Sequence, residues 1–175
     1  VNMSNIIDNA ASLKTGTGNV VVNGGDATDT ITVTGPSTNN QTFSAQSSTS
    51  NFNITAGAND QTISGSNTGS DTIAGGAGTD TLSYAGGSNV NVTITSYGNQ
   101  AGGSSGQGTD TFTGFESLVG ATGNDTLRGT TSFDEVATIT GANSGSLRDS
   151  GSSGTFNFSS FEQIDLQGGN DTVLF

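Results

Sequence analysis

One short motif recurs along the chain and constrains its fold more than any other feature. Asp is followed by Thr and an apolar residue in six copies, which are Asp29-Thr30-Ile31, Asp71-Thr72-Ile73, Asp80-Thr81-Leu82, Asp110-Thr111-Phe112, Asp125-Thr126-Leu127 and Asp171-Thr172-Val173. Glycine stands two positions before the Asp in every copy except the first, where Ala27 takes its place. Glycine favours a turn and a Thr-apolar pair favours a strand. Each copy therefore predicts a bend followed by an extended segment.

A longer period overlies the short motif in the second half of the chain. Phe115-Glu116 stands ten residues before Asp125, and Phe161-Glu162 stands ten residues before Asp171. The two blocks are 46 residues apart. The first half keeps only the short motif, so the long repeat is degraded there.

The apolar residues predict strands with one buried face. They often alternate with polar residues, as in Phe52 and Ile54 or Phe156 and Phe158, and a period of two is typical of half-buried strands. Stacked coils can share a narrow core that strands this short could not build as a globule. We therefore expect an all-β chain that forms a right-handed parallel β-solenoid (a β-roll or β-helix). A β-sandwich is the alternative, because regularly spaced turns would suit it as well.

Composition excludes several classes of function. Fifteen acidic residues against three basic ones give a net charge of −12, which opposes binding to nucleic acid or to an anionic membrane and favours cations as partners. The chain has no Cys and no His, so most catalytic mechanisms lose their usual groups. No apolar run reaches the roughly 18 residues of a membrane span. We predict a protein that is not an enzyme and does not insert into a membrane.

One segment matches a known metal-binding pattern. Residues 75–83, Gly-Gly-Ala-Gly-Thr-Asp-Thr-Leu-Ser, fit the nonapeptide G-G-x-G-x-D-x-U-x, in which U is a large apolar residue. Residues 66–74 repeat the second half in the same register. Here the chain resembles the calcium-binding RTX repeats of secreted bacterial proteins. The resemblance implies a Ca²⁺ ion between turns on the same edge of a parallel β-roll.

The spacing of this motif has a physical reason. A hard cation such as Ca²⁺ takes six to eight oxygen ligands, and glycines let the turn carbonyls point inward while the Asp adds a carboxylate. The candidate metal residues are Asp29, Asp71, Asp80, Asp110, Asp125 and Asp171, with the turn glycines Gly69, Gly76, Gly78 and Gly123. Only Asp71 and Asp80 are in tandem. The other copies either pair through longer coils or form incomplete sites.

The resemblance extends beyond the nonapeptides and suggests two regions. Residues 80–127 are similar to the spacers that often separate calcium-binding blocks in very large bacterial surface and secreted proteins, and residues 129–175 look like a second such unit. We assign residues 65–175 to RTX-like repeat and spacer coils. Residues 1–64 would form irregular N-terminal solenoid coils continuous with them.

Three other hypotheses have weaker support. Glu116 and Glu162 could be the acid pair of a glycoside hydrolase, but they occupy equivalent places in a repeat, which favours a scaffold role. Alternating Thr residues, as in 28–34, also occur in ice-binding solenoids, although Thr favours strands in general. A glycan-binding surface would need exposed aromatic rings, and Tyr84 and Tyr97 are the only tyrosines.

These observations favour a structural or adhesive module over a catalytic one. We expect it to be extracellular or on the bacterial cell surface, where millimolar calcium fills weak sites. Its expected partners are neighbouring solenoid modules or identical subunits, with a glycan or another surface ligand as a further possibility. The alternative is a calcium-independent subunit that assembles into a filament or a surface layer.

Overall fold

The fold is known from a computed structural model that describes residues 51–64 and 68–175 in full, together with the backbone of four strands nearer the N-terminus. The strands are β1 (Ala11–Lys14), β2 (Val20–Val21), β3 (Thr30–Thr34), β4 (Gln41–Ser44), β5 (Asn51–Thr55), β6 (Gln61–Ser64), β7 (Thr72–Ala74), β8 (Thr81–Ser83), β9 (Asn91–Ser96), β10 (Ala101–Ser105), β11 (Thr111–Thr113), β12 (Ser117–Val119), β13 (Thr126–Arg128), β14 (Glu135–Gly141), β15 (Ser144–Asp149), β16 (Thr155–Ser159), β17 (Gln163–Asp165) and β18 (Thr172–Leu174). No helix occurs in the described residues, and hence none that could span a membrane. The all-β prediction is confirmed.

The strands form two sheets of nine. The first sheet has the order β1-β3-β5-β7-β11-β10-β9-β13-β17, and the second, read in the same direction, has the order β2-β4-β6-β8-β12-β16-β15-β14-β18. Apolar side chains from both sheets belong to one core. We use the word coil for one strand of the first sheet together with the strand of the second sheet that follows it along the chain.

From β1 to β8 the chain alternates between the sheets and winds as simple coils. Each strand pairs in parallel with the strand two positions earlier in sequence. The coil of β7 and β8 pairs with the preceding coil of β5 and β6 at a sequence separation of 19 residues in both sheets. Asn53 pairs with Thr72, and Thr62 pairs with Thr81. Parallel pairing of successive coils is what a solenoid requires and what the antiparallel β-sandwich alternative lacks.

Beyond β8 the winding changes, because two antiparallel meanders enter the stack. Strands β9, β10 and β11 fold back on one another within the first sheet, and β14, β15 and β16 do so within the second. The prediction of parallel strands therefore holds for the coils but not for these meanders, and both sheets are mixed. The predicted right-handed winding stays a prediction.

The 46-residue sequence repeat corresponds to one meander with its flanking strands. The first unit runs from β8 through the first meander to β12 and β13, and the second runs from β13 through the second meander to β17 and β18. The two sheets change roles from one unit to the next, because the first meander lies in the first sheet and the second meander lies in the second sheet. The sequence period therefore describes half of a structural cycle.

The core follows the predicted alternation. Side chains in β5, β9 and β16 are alternately buried and exposed. The aromatic core residues also repeat with the 46-residue unit. Phe112 and Phe115 make an edge-to-face contact with ring centroids 6.1 Å apart, and Phe158 and Phe161 make the equivalent contact at 6.5 Å.

Candidate metal centre

Seven acidic side chains form a ladder of hydrogen bonds between coils, which we call the carboxylate ladder. Each lies immediately before a strand, and one of its carboxylate oxygens accepts the backbone N–H of a residue on a neighbouring coil. The carboxylates of Asp71, Asp80, Asp110, Glu116, Asp125, Glu162 and Asp171 accept from the N–H groups of Phe52, Gln61, Asp71, Asp80, Val90, Asp125 and Glu135, at 2.6–3.0 Å. The Asp of the sequence motif is thus a link between coils.

A second set of bonds runs in the opposite direction at four of the same junctions. The side chains of Asn51, Asp60, Asn89 and Asp134 accept the N–H groups of Ser70, Thr79, Asn124 and Asn170, at 2.7–3.2 Å. Each acceptor directly precedes a residue that donates to the carboxylate ladder. Each of these junctions therefore has two reciprocal side-chain bonds, and they fix the register of the coils.

Four of the ladder carboxylates are almost fully buried. Asp71, Asp80, Asp110 and Asp125 are each no more than 1% exposed. Burial raises the pKa of Asp80 to about 6; the Gln61 N–H opposes this shift, and the charges of Glu116 and Asp60 add to it. Burial and the charge of Asp71 raise the pKa of Asp110 to about 6 as well. These junctions hold negative charge away from water, which is costly without a compensating cation.

The second carboxylate oxygen differs among the predicted metal ligands. The Oδ2 atoms of Asp80 and Asp125 are buried and accept no hydrogen bond within the described part of the chain. Asp110 Oδ2, in contrast, accepts the Ser104 hydroxyl at 2.9 Å. Asp171 is exposed. The structure thus leaves a free buried oxygen on two of the six predicted Asp ligands, while Asp29 lies outside the described residues.

Three of the four predicted glycines are required by the close approach of coils. Gly76 and Gly78 have positive φ angles of 105° and 125°, which favour glycine, and a Cβ at Gly76 would lie 2.0 Å from the Gly57 carbonyl oxygen. Gly123 has φ 123° and lies against the side chain of Asn89. The Gly69 carbonyl oxygen lies 1.6 Å from where a Cβ on Gly108 would stand. Gly76, Gly78 and Gly123 therefore permit the coils to stack, whereas at the Gly69 contact the residue that must lack a side chain is Gly108.

Glu116 and Glu162 belong to the ladder although sequence reasoning did not place them among the metal residues. Their position in the 46-residue repeat was the available signal, because it made them equivalent to each other. Glu116 precedes β12 in the second sheet and Glu162 precedes β17 in the first. They therefore stand at the starts of strands in different sheets.

Neither tyrosine is available as the exposed ring that a glycan-binding surface would need. Tyr84 and Tyr97 are 2% and 1% exposed. Tyr97 packs edge-to-face against Phe156 at 5.9 Å and donates its hydroxyl to Glu135 at 3.3 Å. Both tyrosines thus belong to the core.

Comparison with protein families finds the RTX calcium-binding nonapeptide repeat in four copies, at residues 9–34, 55–90, 110–132 and 119–136. Together these matches cover more than half of the chain. The chain belongs to the RTX calcium-binding repeat family. Comparison with curated proteins and with solved structures gives no match. RTX repeats bind calcium and occur in secreted proteins, so Ca²⁺ is the ion to test against the geometry.

The surroundings of Asp80, in the complete RTX nonapeptide, fit a Ca²⁺ ion. Its buried Oδ2 lies beside Gly75, where an added Cβ would be 2.8 Å from that oxygen and 2.1 Å from the Gly114 carbonyl oxygen. Among the described residues no three acidic side chains gather into a metal-binding cluster. Backbone carbonyls and water would therefore complete the shell, as the glycine-rich turn allows.

Proposed function

We propose that this RTX chain is a non-catalytic structural or adhesive module of a secreted or cell-surface bacterial protein. Its coils would wind as a right-handed β-solenoid and would be held together by Ca²⁺ at the acidic turns. In the extracellular medium the ion would be abundant, so export would switch on the final folded state.

The observation that supports this proposal is the burial of acidic side chains at the coil junctions. Asp80 and Asp125 are fully buried, yet each has one oxygen without a hydrogen bond from the described residues. An ionised carboxylate in this state is costly, and a bound cation offsets the cost. The unfolded chain gathers no such oxygens, so the free energy of binding becomes free energy of folding.

Denaturation with and without calcium tests the proposal. We expect a higher urea midpoint and a stronger β signal in circular dichroism with millimolar CaCl₂ than with EDTA. The stabilisation should be about 2.7 kcal/mol for one site at a calcium concentration of 100 Kd. MgCl₂ at the same ionic strength is the control and should act less, because Mg²⁺ demands a tighter geometry. Equal midpoints in all three buffers would refute a calcium-stabilised module.

Self-assembly is the second candidate, and the surface of β18 supports it. Val173 and Leu174 are each 47% exposed, although Val173 pairs with Ala137, which is buried. β17 and β18 each have a single neighbour in their sheets, so a coil from an identical subunit or a neighbouring module could pair there. Size-exclusion chromatography separates the candidates: polymers that persist in EDTA favour calcium-independent assembly, and a monomer that expands in EDTA favours calcium-dependent folding.

A further inference from the structure

A pocket lies between β9 and the loops that follow β13 and β17. Its volume is about 340 Å³, which falls at the small end of the range for ligand pockets, about 300 to 1,000 Å³. Of the described residues that line it, none carries a charge, five have a hydroxyl group and one has an amide. These six are Thr93, Thr95, Thr130, Thr131, Ser132 and Gln167. The pocket is thus neutral and rich in hydrogen-bonding groups, in a chain of net charge −12.

Phe133 gives this pocket an exposed aromatic ring. Its side chain lines the pocket and is 41% exposed, whereas both tyrosines are buried. The ring makes an edge-to-face contact with Tyr97, with centroids 6.3 Å apart. The core therefore supports the ring from one side while the rest of it stays open to a ligand.

The loop that carries Phe133 is held in place by the buried side chain of Glu135. Glu135 Oε1 accepts the N–H and the hydroxyl of Thr130 at 2.6 and 2.7 Å, and the hydroxyl of Tyr97 at 3.3 Å. The Phe133 N–H in turn donates to Thr130 Oγ1 at 3.2 Å. The loop after β17 lies against the same segment, since a Cβ at Gly169 would be 2.1 Å from the Phe133 carbonyl oxygen. The pocket is therefore formed in advance, and a ligand need not order its walls.

We propose that this pocket binds a neutral glycan, with one pyranose ring stacked on Phe133. The C–H groups on one face of a pyranose carry partial positive charge and suit the negative face of an aromatic ring. Thr, Ser and Gln side chains both donate and accept hydrogen bonds, as sugar hydroxyls do. The net charge of the chain opposes sugars that carry carboxylate or sulfate groups. This inference rests on the adhesive role in the proposed function, and not on calcium, and it names the class of ligand.

Isothermal titration calorimetry of the unchanged chain in millimolar CaCl₂ tests the proposal. The probes are neutral hexasaccharides of glucose, galactose, mannose and N-acetylglucosamine, with hexagalacturonate as the anionic probe. At least one neutral hexasaccharide should bind, and hexagalacturonate should not. Phe133→Ala should lower the affinity about tenfold or more, because the aromatic anchor is lost. Leu174→Ala is the matched control, since it removes an exposed apolar side chain outside the pocket and should leave the affinity unchanged.

A second variant gives an answer that does not depend on the folding of Phe133→Ala. The chain contains no Trp, so Phe133→Trp places a single fluorescent reporter in the pocket and keeps an aromatic ring there. The hexasaccharide that binds the unchanged chain should also bind this variant. It should shift the tryptophan emission to shorter wavelengths, because a stacked sugar excludes water from the ring.

The outcomes distinguish this inference from the proposed function. If calcium leaves the urea midpoint unchanged, the calcium-stabilised module fails, while binding of a neutral hexasaccharide at Phe133 would still support the pocket. If calcium stabilises the chain but no neutral hexasaccharide binds, only this inference is wrong. Binding that persists unchanged in a folded Phe133→Ala, or that leaves the emission of Phe133→Trp unchanged, would refute the pocket as the site.

Discussion

The coils of residues 51–83 and the spacer units of residues 84–175 reach the same contacts by different chain paths. In the coils, consecutive strands go to opposite sheets and neighbours are 19 residues apart. In the spacer units the chain advances along the stack and then returns through an antiparallel meander. The carboxylate ladder nevertheless continues through both regions, with partners 19 residues apart in the coils and 35–39 apart beyond them.

The Asp or Glu before a strand thus accepts a hydrogen bond from whichever strand lies beside it in space, and not from a residue at a fixed distance in sequence. The N–H group that it accepts belongs to the start of the adjacent strand in every case. Any chain path that brings two strand starts together can therefore use the same bond. The repeat motif tolerates the insertion of a meander because the insertion leaves the strand starts unchanged.

The largest expected effect is a loss of stability when a buried ring is removed from a spacer unit. This loss also tests whether the spacer units unfold together with the coils. Phe115→Ala and Phe161→Ala each remove a buried ring from a spacer turn, and we expect each to lower the free energy of unfolding by about 3 to 5 kcal/mol. Urea denaturation should keep a single transition in both variants. Phe133→Ala is the control with a smaller loss, since Phe133 is 41% exposed. A separate early transition in Phe161→Ala would show that the second unit unfolds by itself.

The next effect concerns the junction between coils and spacer, where Asp110 meets Asp71. The pKa of Asp110 is raised to about 6 in the folded state, so the folded chain binds more protons than the unfolded chain between about pH 4 and pH 6. In EDTA, stability should therefore fall as the pH rises through this range and level off above it. Asp110 alone should contribute about 3 kcal/mol, at about 1.4 kcal/mol per pKa unit.

Urea midpoints at pH 4 and pH 7 measure this effect, and Asp110→Asn isolates it. The variant keeps an oxygen that accepts the Asp71 N–H but has no charge to bury. Its midpoint should depend less on pH than that of the unchanged chain. An identical pH dependence in both proteins would show that Asp110 is not the group responsible.

A smaller effect compares two glycines, Gly75 beside the Oδ2 atom of Asp80 and Gly120 beside the Oδ2 atom of Asp125. Gly75→Ala and Gly120→Ala would each place a Cβ about 2 Å from a backbone carbonyl oxygen of another turn, and the overpacking should cost about 1 to 3 kcal/mol. Gly98→Ala is the matched control, because its Cβ would meet nothing within 4 Å. Thermal denaturation should rank both variants below the control. If only Gly75→Ala were destabilised, the two glycine positions would not be equivalent.

The smallest effect is expected at the surface of the spacer region. Arg128 and Asp165 form an ion pair with side chains 40% and 51% exposed, and pairs of this kind contribute about 0.2 to 1 kcal/mol. Asp165→Asn should therefore change the urea midpoint little at 0.15 M salt, and the change should disappear at 1 M salt because exposed charges are screened. A large loss that persists at high salt would mean that Asp165 has a packing role.

Several features of the fold were predictable because they depend on neighbours in sequence. The alternation around Phe52 and Val92 predicted strands with one buried face, and the structure has them. The nonapeptide at residues 75–83 predicted both the turn and the family. The scaffold role expected for Glu116 agrees with its place in the ladder.

The antiparallel meanders were not predictable from the same signals. The turns after β9 and β14 contain Gln100 and Asn143, whose positive φ angles of 45° and 57° are tolerated by turn residues. Turn chemistry shows that the chain reverses, but it does not show whether the next strand returns to the same sheet or crosses to the other one. That choice depends on which neighbouring positions in the stack are vacant.

The sequence by itself determined where this chain bends and extends, and that its partners include cations, because glycine conformation, strand alternation and net charge act locally or over the whole composition. Only the tertiary structure decided which carboxylates meet. Asp110 and Asp125 carry the same motif, yet the second oxygen of Asp110 accepts the Ser104 hydroxyl, while that of Asp125 accepts no hydrogen bond in the part of the chain that the structure describes. The physical reason is that a buried oxygen is satisfied by groups on the adjacent coil, and stacking selects that coil from distant parts of the chain.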